Sequence, residues 1–563
     1  MVTDMRTVEY LVNSLIDYGV SDVFGIPGGV VIDLLYEMNN KKHKIYPHLS
    51  YHEQAAAFEA AGYAQVHGTI GVVYVTRGPG LTNTITAVVD AYSESTPLVV
   101  ITGHANERLD NSTRFPADQE LDTKSMFSKI TKYVARIDTI DNFEIEVNKA
   151  LDIAMEGRKG PVLIDVLASL WNKEVHFNIE KKEFIVKSKE IIEKDIDYVI
   201  RELKKAKRPV ILAGDGIRQS NTIQYLNQFS TQNRIPVLSS RCGADSASST
   251  KYYYGYIGSH GVRYSNAILS KSDVIISLGN RLSFPTKSKS YKSIYENAKI
   301  IQIDIDNQEL NRVDVSESIC ADLTEFMPQL AKETYKNDMA EQWIATCDKI
   351  KESLRFCDLN EVTIKLASVI SNLSKDNVIV NDVGNNEFWA SRAYIESNKG
   401  QRTMFSKSFG ALGCAIPKAI GAYYKIQKPV FCITGDQGFQ INSQELNFIS
   451  QNKVEICIVV VNNQASGMIR DREKIKGYTE LVHTTAESGY YSVNLLEIAS
   501  AFDINYYKIE SKNYDFNKII QYPCIIEIEE AEEELIPGLP KGNHIYDMIP
   551  KLPNDIMDNI NKL

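Results

Sequence analysis

The sequence predicts an α/β protein built from three doubly wound domains, each a parallel sheet covered by helices on both faces. Two observations carry this. Short, continuous apolar runs alternate with helical patterns, and the runs end in Gly or Asp, as strands buried on both faces of a parallel sheet do. A chain of 563 residues also has the length for three or four domains with deep cores.

Taken in order, Val72–Thr76, Pro97–Gly103 and Pro161–Leu167 are expected strands of a first domain, residues 1–175. Pro209–Ala213, Asp273–Leu278 and Lys299–Asp304 belong to a middle domain, 185–335. Val378–Val383, Pro429–Thr434, Ile456–Val461 and Cys524–Ile528 fill a third, 360–530. The Lys- and Glu-rich stretch Glu180–Lys194 reads as one linker and Lys332–Leu359, partly helical, as the other. Beyond Glu530 the composition turns to Pro537-Gly538-Leu539-Pro540, which marks a tail, 531–563, running over the surface or across a functional site.

Composition excludes several classes. The formal charge is −10 with both signs mixed along the chain, so there is no basic footprint for nucleic acid. The eight cysteines show no CxxC spacing, and several lie in apolar runs, the pattern of reduced core thiols. No apolar run approaches about 18 residues and the N-terminus lacks a signal-peptide pattern. A cytoplasmic protein without membrane insertion is expected.

The most informative motif is Gly435-Asp436-Gln437-Gly438-Phe439, followed after an apolar run by Asn462-Asn463. Asp436 and Asn463 are separated by about one strand, one helix and a second strand, which brings both to one sheet edge. Mg²⁺ takes hard oxygen ligands, usually one or two carboxylates plus phosphate oxygens and water. Asp436, Asn463 and a main-chain carbonyl, that of Ala465, would supply such a set beside a diphosphate. Small residues at Gly435 and Gly438 permit close backbone approach. An ordinary strand-turn-helix with an Asp cap produces the same pattern, so other residues must decide.

They lie near the N-terminus: Phe24-Gly25-Ile26-Pro27-Gly28-Gly29, His52-Glu53-Gln54-Ala55-Ala56-Ala57 and Gly78-Pro79-Gly80-Leu81-Thr82-Asn83. With the Asp436–Asn463 motif, these resemble thiamine-diphosphate (ThDP) enzymes of the acetolactate synthase type, collinearly from about residue 5 to about 530. The resemblance implies that the three domains are pyrimidine-binding, middle and diphosphate-binding, and that Glu53 hydrogen-bonds the coenzyme's aminopyrimidine, favouring the imino tautomer that serves as base. It further implies coenzyme contacts from Gly28, Gly29, Pro79 and Asn83 on the first domain. On the third it implies contacts from Asn385, Asn386, Gly410, Gln437, Gly467 and Met468. Leu412, in place of the usual methionine, would be the wedge that folds the coenzyme into a V.

In this family the glutamate and the diphosphate site meet across a subunit boundary, so a homodimer or homotetramer with shared sites is expected. The first and third segments would be structural duplicates. Gln119 matches a glutamine that reaches the reacting carbons, and Lys132 a lysine at the substrate entrance. His52 either shuttles a proton or bonds backbone. In the middle domain Gly214, Gly216, Gly258, His260, Arg281, Asp304 and Asp322 fall where acetolactate synthases contact FAD, which would serve structure rather than redox chemistry.

The reaction implied is decarboxylation of a 2-oxo acid, pyruvate or a close analogue, with carbon–carbon bond formation to a carbonyl acceptor. Val30 and Arg472 are the expected specificity positions. Arg472 stands where a tryptophan normally shapes the acceptor pocket, and a guanidinium favours an anionic or polyhydroxylated acceptor. Arg77, Asn385-Asn386 and Gln437-Gly438 are further departures. Alternatives are transfer of a two-carbon unit to a nucleotide-linked keto sugar, to which Arg472 and the Lys541–Pro550 tail point, and simple non-oxidative decarboxylation. A silent paralogue would be expected to lose Glu53 or the metal pair, and a nicotinamide dehydrogenase would need a GxGxxG after its first strand; neither fits.

Overall fold

The computed structural model describes residues 2–105, 118–178, 189–283, 289–310, 312, 315–397, 400–509, 521–530, 538, 540, 542 and 544–563. It contains three six-stranded sheets, all parallel. An antiparallel ribbon pairs Val2–Arg6 with Glu174–Asn178 and closes the first domain.

The first sheet runs through Asp22–Gly25, Tyr46–Leu49, Gly71–Tyr74, Leu98–His104, Tyr133–Ile137 and Val162–Leu167. The third runs through Val378–Asn381, Arg402–Met404, Val430–Gly435, Ile456–Asn462, Asn505–Lys508 and Cys524–Glu529. In both, the spatial order is second, first, third, fourth, sixth, fifth, so the two domains are topological duplicates. The middle sheet (Pro209–Ala213, Val237–Ser239, Tyr253–Tyr256, Val274–Leu278, Lys299–Asp304, Glu317–Cys320) has the order third, second, first, fourth, fifth, sixth. That order opens a crevice where the chain reverses direction between its first and fourth strands, the place dinucleotides occupy in such sheets.

Central strands are buried throughout, for example Leu98–His104 and Ile456–Asn462, because helices cover both faces. One helix, Glu53–His67, is buried nearly all round. Its Ala-rich sequence suits a helix, the His52 imidazole accepts the Gln54 amide at 3.1 Å as N-cap, and Gly68 ends it at φ 66°. It packs on the third-domain helix Ala415–Ile426 so closely that a Cβ at Gly421 would lie 1.7 Å from the Glu59 carbonyl oxygen. A buried ion pair, Lys418 Nζ to Asp90 Oδ2 at 2.6 Å, crosses the same interface.

Both stretches read as linkers contribute helix among the described residues. Helix Lys189–Lys205 begins within the first, whose residues 180–188 lie outside the described residues, and Ala340–Leu354 forms a helix in the second. Trp343, Cys347, Ile350 and Leu354 of that helix join the middle-domain core. The tail packs there as well: Ile545, Tyr546 and Ile560 are buried in the same cluster, and Arg263 donates to the carbonyl of Pro550 at 2.6 Å. No helix among the described residues is long and apolar enough to cross a membrane.

Candidate active site

The third-domain strands Val430–Gly435 and Ile456–Asn462 end side by side, which puts the turns after them at one sheet edge. Asn385, Asn386, Leu412, Gly435, Asp436, Gln437, Gly438, Asn463, Ala465, Gly467 and Met468 line one cavity there, of about 180 Å³. Asp436 is 2 % exposed. Burial raises its pKa, and a hydrogen bond from the Tyr490 phenol to Oδ2, 2.9 Å long, opposes that shift. The backbone of Gly467 is hemmed in by amides: a Cβ there would meet Asn463 Nδ2 at 2.6 Å and Asn385 Nδ2 at 2.9 Å. Asn385 in turn donates to Asp471 Oδ2 at 3.0 Å.

This donor set fits the ion and coenzyme that the motif implies. Among the described residues Asp436 is the one carboxylate lining the cavity, Asn463 and Ala465 add oxygens, and every such donor is hard, as Mg²⁺ requires. Helix Gly467–Lys476 starts at the cavity wall, so its positive end would favour an anion bound there. Gly410, at φ 75°, lies in the exposed loop that leads into Leu412.

Sequence reasoning missed Asp382, which organises this edge. Its Oδ1 accepts the amides of Gly413 (2.8 Å) and Val383 (2.7 Å), and its Oδ2 that of Ala415 (3.2 Å). One carboxylate thereby ties the Leu412 loop to the loop carrying Asn385. Burial pushes its pKa up to about 6 although the three amides pull it down. The available signal was an Asp closing the apolar run Val378–Asn381. Tyr490 had none, being 54 positions from its partner.

The first domain assembles a second group. Glu53 Oε2 accepts a hydrogen bond from Asn83 Nδ2 at 2.9 Å, and Glu53 Oε1 lies 3.4 Å from where a Cβ on Gly80 would stand. Thr76 joins this turn to Gly28, and Gln119, at φ 57°, abuts Gly78. Pro79 and Asn83 are exposed and Glu53 is half-buried, so the group opens outwards. Gly29 has open space around it, whereas Val30 is 8 % exposed and its carbonyl accepts Trp171 Nε1 at 2.7 Å. None of the described residues lining the third-domain cavity comes from the first domain.

Lys132 is not brought to this group. It precedes the strand Tyr133–Ile137, at the opposite sheet edge, and its ammonium binds the carbonyls of Ile153 and Glu156 (2.7 Å to the latter) at a helix end. Desolvation lowers its pKa. His52 serves as the cap already described.

In the middle domain, Gly214, Gly216, Arg281, Asp304 and Asp322 line a cleft of about 370 Å³ at the reversal point of the sheet. It adjoins another cavity of about 360 Å³ with which it shares Glu94, Ser95, Lys159, Asp215, Gln219 and Cys242. Gly258 and His260 are not part of it. The Gly258 amide donates to Asn266 Oδ1 at 3.0 Å, and His260 stacks on Phe388 of the third domain with ring centres 4.0 Å apart. His260 is pushed down to about 3, first by burial and then by the charges of Arg241, Arg392, Lys407 and Arg472. Arg472 itself is exposed, on the helix that Gly467 begins.

Comparison with known families agrees with this division. Residues 5–126 match the thiamine pyrophosphate enzyme N-terminal TPP binding domain, 196–330 the central domain and 382–524 the C-terminal TPP binding domain. Among curated proteins, the acetolactate synthase large subunit of Lactococcus lactis subsp. lactis (strain IL1403) is 32 % identical, across 96 % of this chain and 95 % of its own. The corresponding subunit of Buchnera aphidicola subsp. Acyrthosiphon pisum is 33 % identical, with 96 % and 93 % covered. The acetolactate synthase isozyme 2 large subunit of Escherichia coli (strain K12) is 28 % identical, with 97 % and 100 % covered.

Proposed function

From its membership of the thiamine pyrophosphate enzyme family, with all three family domains in order, we propose that this chain decarboxylates pyruvate or a close 2-oxo acid and joins the remaining two-carbon unit to a carbonyl acceptor. It is a ThDP-dependent, acetolactate synthase-like enzyme. The carrying observation is the convergence of Asp436, Asn463, Ala465 and Leu412 on one cavity, with Glu53 bound by Asn83 in a separate first-domain group.

Asp436, Asn463 and the Ala465 carbonyl would hold Mg²⁺, with diphosphate oxygens completing its shell. Leu412, fixed through Gly413 and Asp382, would press the two coenzyme rings into reach of one another. When bound, the coenzyme supplies an electron sink for loss of carbon dioxide. Glu53 would keep the aminopyrimidine in its basic tautomer, and Asn83 orients the carboxylate for that contact. Gln119, beside the Gly78 turn, is a candidate for contact with the substrate.

Glu53 and the Asp436 cavity are separate within one chain, which supports a homodimer whose sites are completed by the partner. A tetramer is compatible. The cleft at the reversal point of the middle sheet supports FAD in a structural role, with Gly214 and Gly216 against its diphosphate and Asp304 or Asp322 on its ribose or adenine. Arg472, exposed on the helix that begins at the cavity, supports an acceptor that carries negative charge. The curated relatives do not favour the keto-sugar reading over acetolactate-type chemistry. A cytoplasmic location accords with reduced cysteines.

The test is turnover of purified protein with ThDP and Mg²⁺ on a panel of 2-oxo acids and carbonyl acceptors, with product identification. Coenzyme-dependent carbon–carbon bond formation supports the reading; no consumption of any 2-oxo acid refutes it. Visible absorbance of the same sample reports flavin.

A further inference from the structure

Two carboxyl groups outside the machinery above are buried at the interface between the first and third domains and hold adjacent residues of one turn, and among the described residues Glu59 keeps its Oε1 without a hydrogen-bond partner. Glu59 lies on helix Glu53–His67 and Glu445 starts the third-domain helix Glu445–Gln451; both are 0 % exposed. Each also grips the turn that precedes Glu53. The Ser50 hydroxyl donates to Glu59 Oε2 at 2.5 Å, and the Tyr51 amide donates to Glu445 at 3.0 Å (Oε1) and 3.3 Å (Oε2). His52, next along, caps the helix that Glu53 opens.

We propose that Glu59 and Glu445 form a proton-sharing carboxyl pair that positions Glu53, by fixing the Ser50–His52 turn and docking it on the third domain of the same chain. This rests on the relay role given to Glu53 above. The physical reason is that two buried carboxylates in contact cannot both stay ionised, whereas one shared proton gives a strong, directional hydrogen bond. Burial, then the Glu445 charge, holds Glu59 well above the carboxylate range, and burial pushes Glu445 up to about 7. Among the described residues, the other ionisable groups facing the pair are the phenols of Tyr74 and Tyr424, with the His48 ring tilted against Tyr424 and held by Asp22 at 2.9 Å.

With a second ionisation the pair repels itself, and the turn loosens. Because the folded-state pKa values are raised, the stability they contribute is lost as pH rises through them. Glu59→Gln keeps an acceptor for Ser50 and a donor for Glu445 but removes one acid. The apoprotein melting temperature is therefore expected to fall less steeply between about pH 6 and about pH 9 in Glu59→Gln than in wild type. With ThDP and Mg²⁺, the alkaline decline of kcat should move up by about one pH unit or vanish, with KM for the 2-oxo acid within about twofold. Glu445→Met should lower kcat about tenfold at unchanged KM, and Glu445→Gln should restore most of it. Wild-type and Glu59→Gln curves that superimpose in both readouts overturn the pair. A fully active Glu53→Gln would instead reject the relay reading and leave the melting comparison to decide the pair alone.

Discussion

Tyr490 donates its phenolic hydroxyl to Asp436 Oδ2 across 2.9 Å, and so orients the one carboxylate among the described residues that line the third-domain cavity. A metal ligand whose free oxygen is aimed in advance loses less freedom when it binds, and groups that orient ligands typically matter about 10- to 100-fold in metal affinity. Tyr490→Phe is expected to raise the Mg²⁺ concentration needed for half-maximal activity by about tenfold, with little change in kcat at saturating metal. A Mg²⁺ titration of the reconstituted enzyme checks this.

Asp382 joins two loops through three backbone amides. An Asn in its place presents an amide to at least one N–H that needs an acceptor, so Asp382→Asn should cost about 2 kcal/mol of stability, measured by denaturant unfolding. Its folded-state value near 6 exceeds about 3.9 for an unfolded Asp. Its contribution is thus fully present below about pH 4 and lost as pH rises through about 6, and Asp382→Asn should lack that part of the decline.

Arg472 is exposed on the helix that begins at the cavity, and it adds, after burial and the charges of Arg241, Arg392 and Lys407, to the lowering of the His260 pKa. Arg472→Trp should shift the kcat/KM ratio towards small alkyl keto-acid acceptors by about tenfold. Competition between a short alkyl acceptor and a phosphorylated one measures the ratio. An unchanged ratio would place Arg472 outside the acceptor pocket.

The ten apolar runs that signal strands in the sequence all become strands of the three sheets, because a strand buried on both faces must be apolar throughout. Short edge strands left no such signal: Tyr46–Leu49 and Asn505–Lys508 are mostly exposed or half-buried. The cavity around Asp436 was legible because its residues follow strand ends at fixed spacing. The pairs Asp382–Gly413, Tyr490–Asp436 and Glu59–Glu445 were not, since each joins residues far apart in sequence and of types that are common on surfaces. His260 sits in a glycine-rich turn but leaves the middle-domain cleft for a stack on Phe388, a contact that only the packing of two domains creates. Lys132 gave no sequence sign of its contact: its ammonium is taken up by the carbonyls at a helix end.

The central claim is that Glu53 of one protomer and Asp436 of the other serve the same coenzyme. Mixed dimers of Glu53→Gln and Asp436→Asn chains test it most directly. Each homodimer should be nearly inactive, but a mixed dimer keeps one site with both native residues, so random reassociation should restore about a quarter of wild-type turnover. No recovery above the two parent variants, with mixed dimers demonstrably formed, would contradict the account.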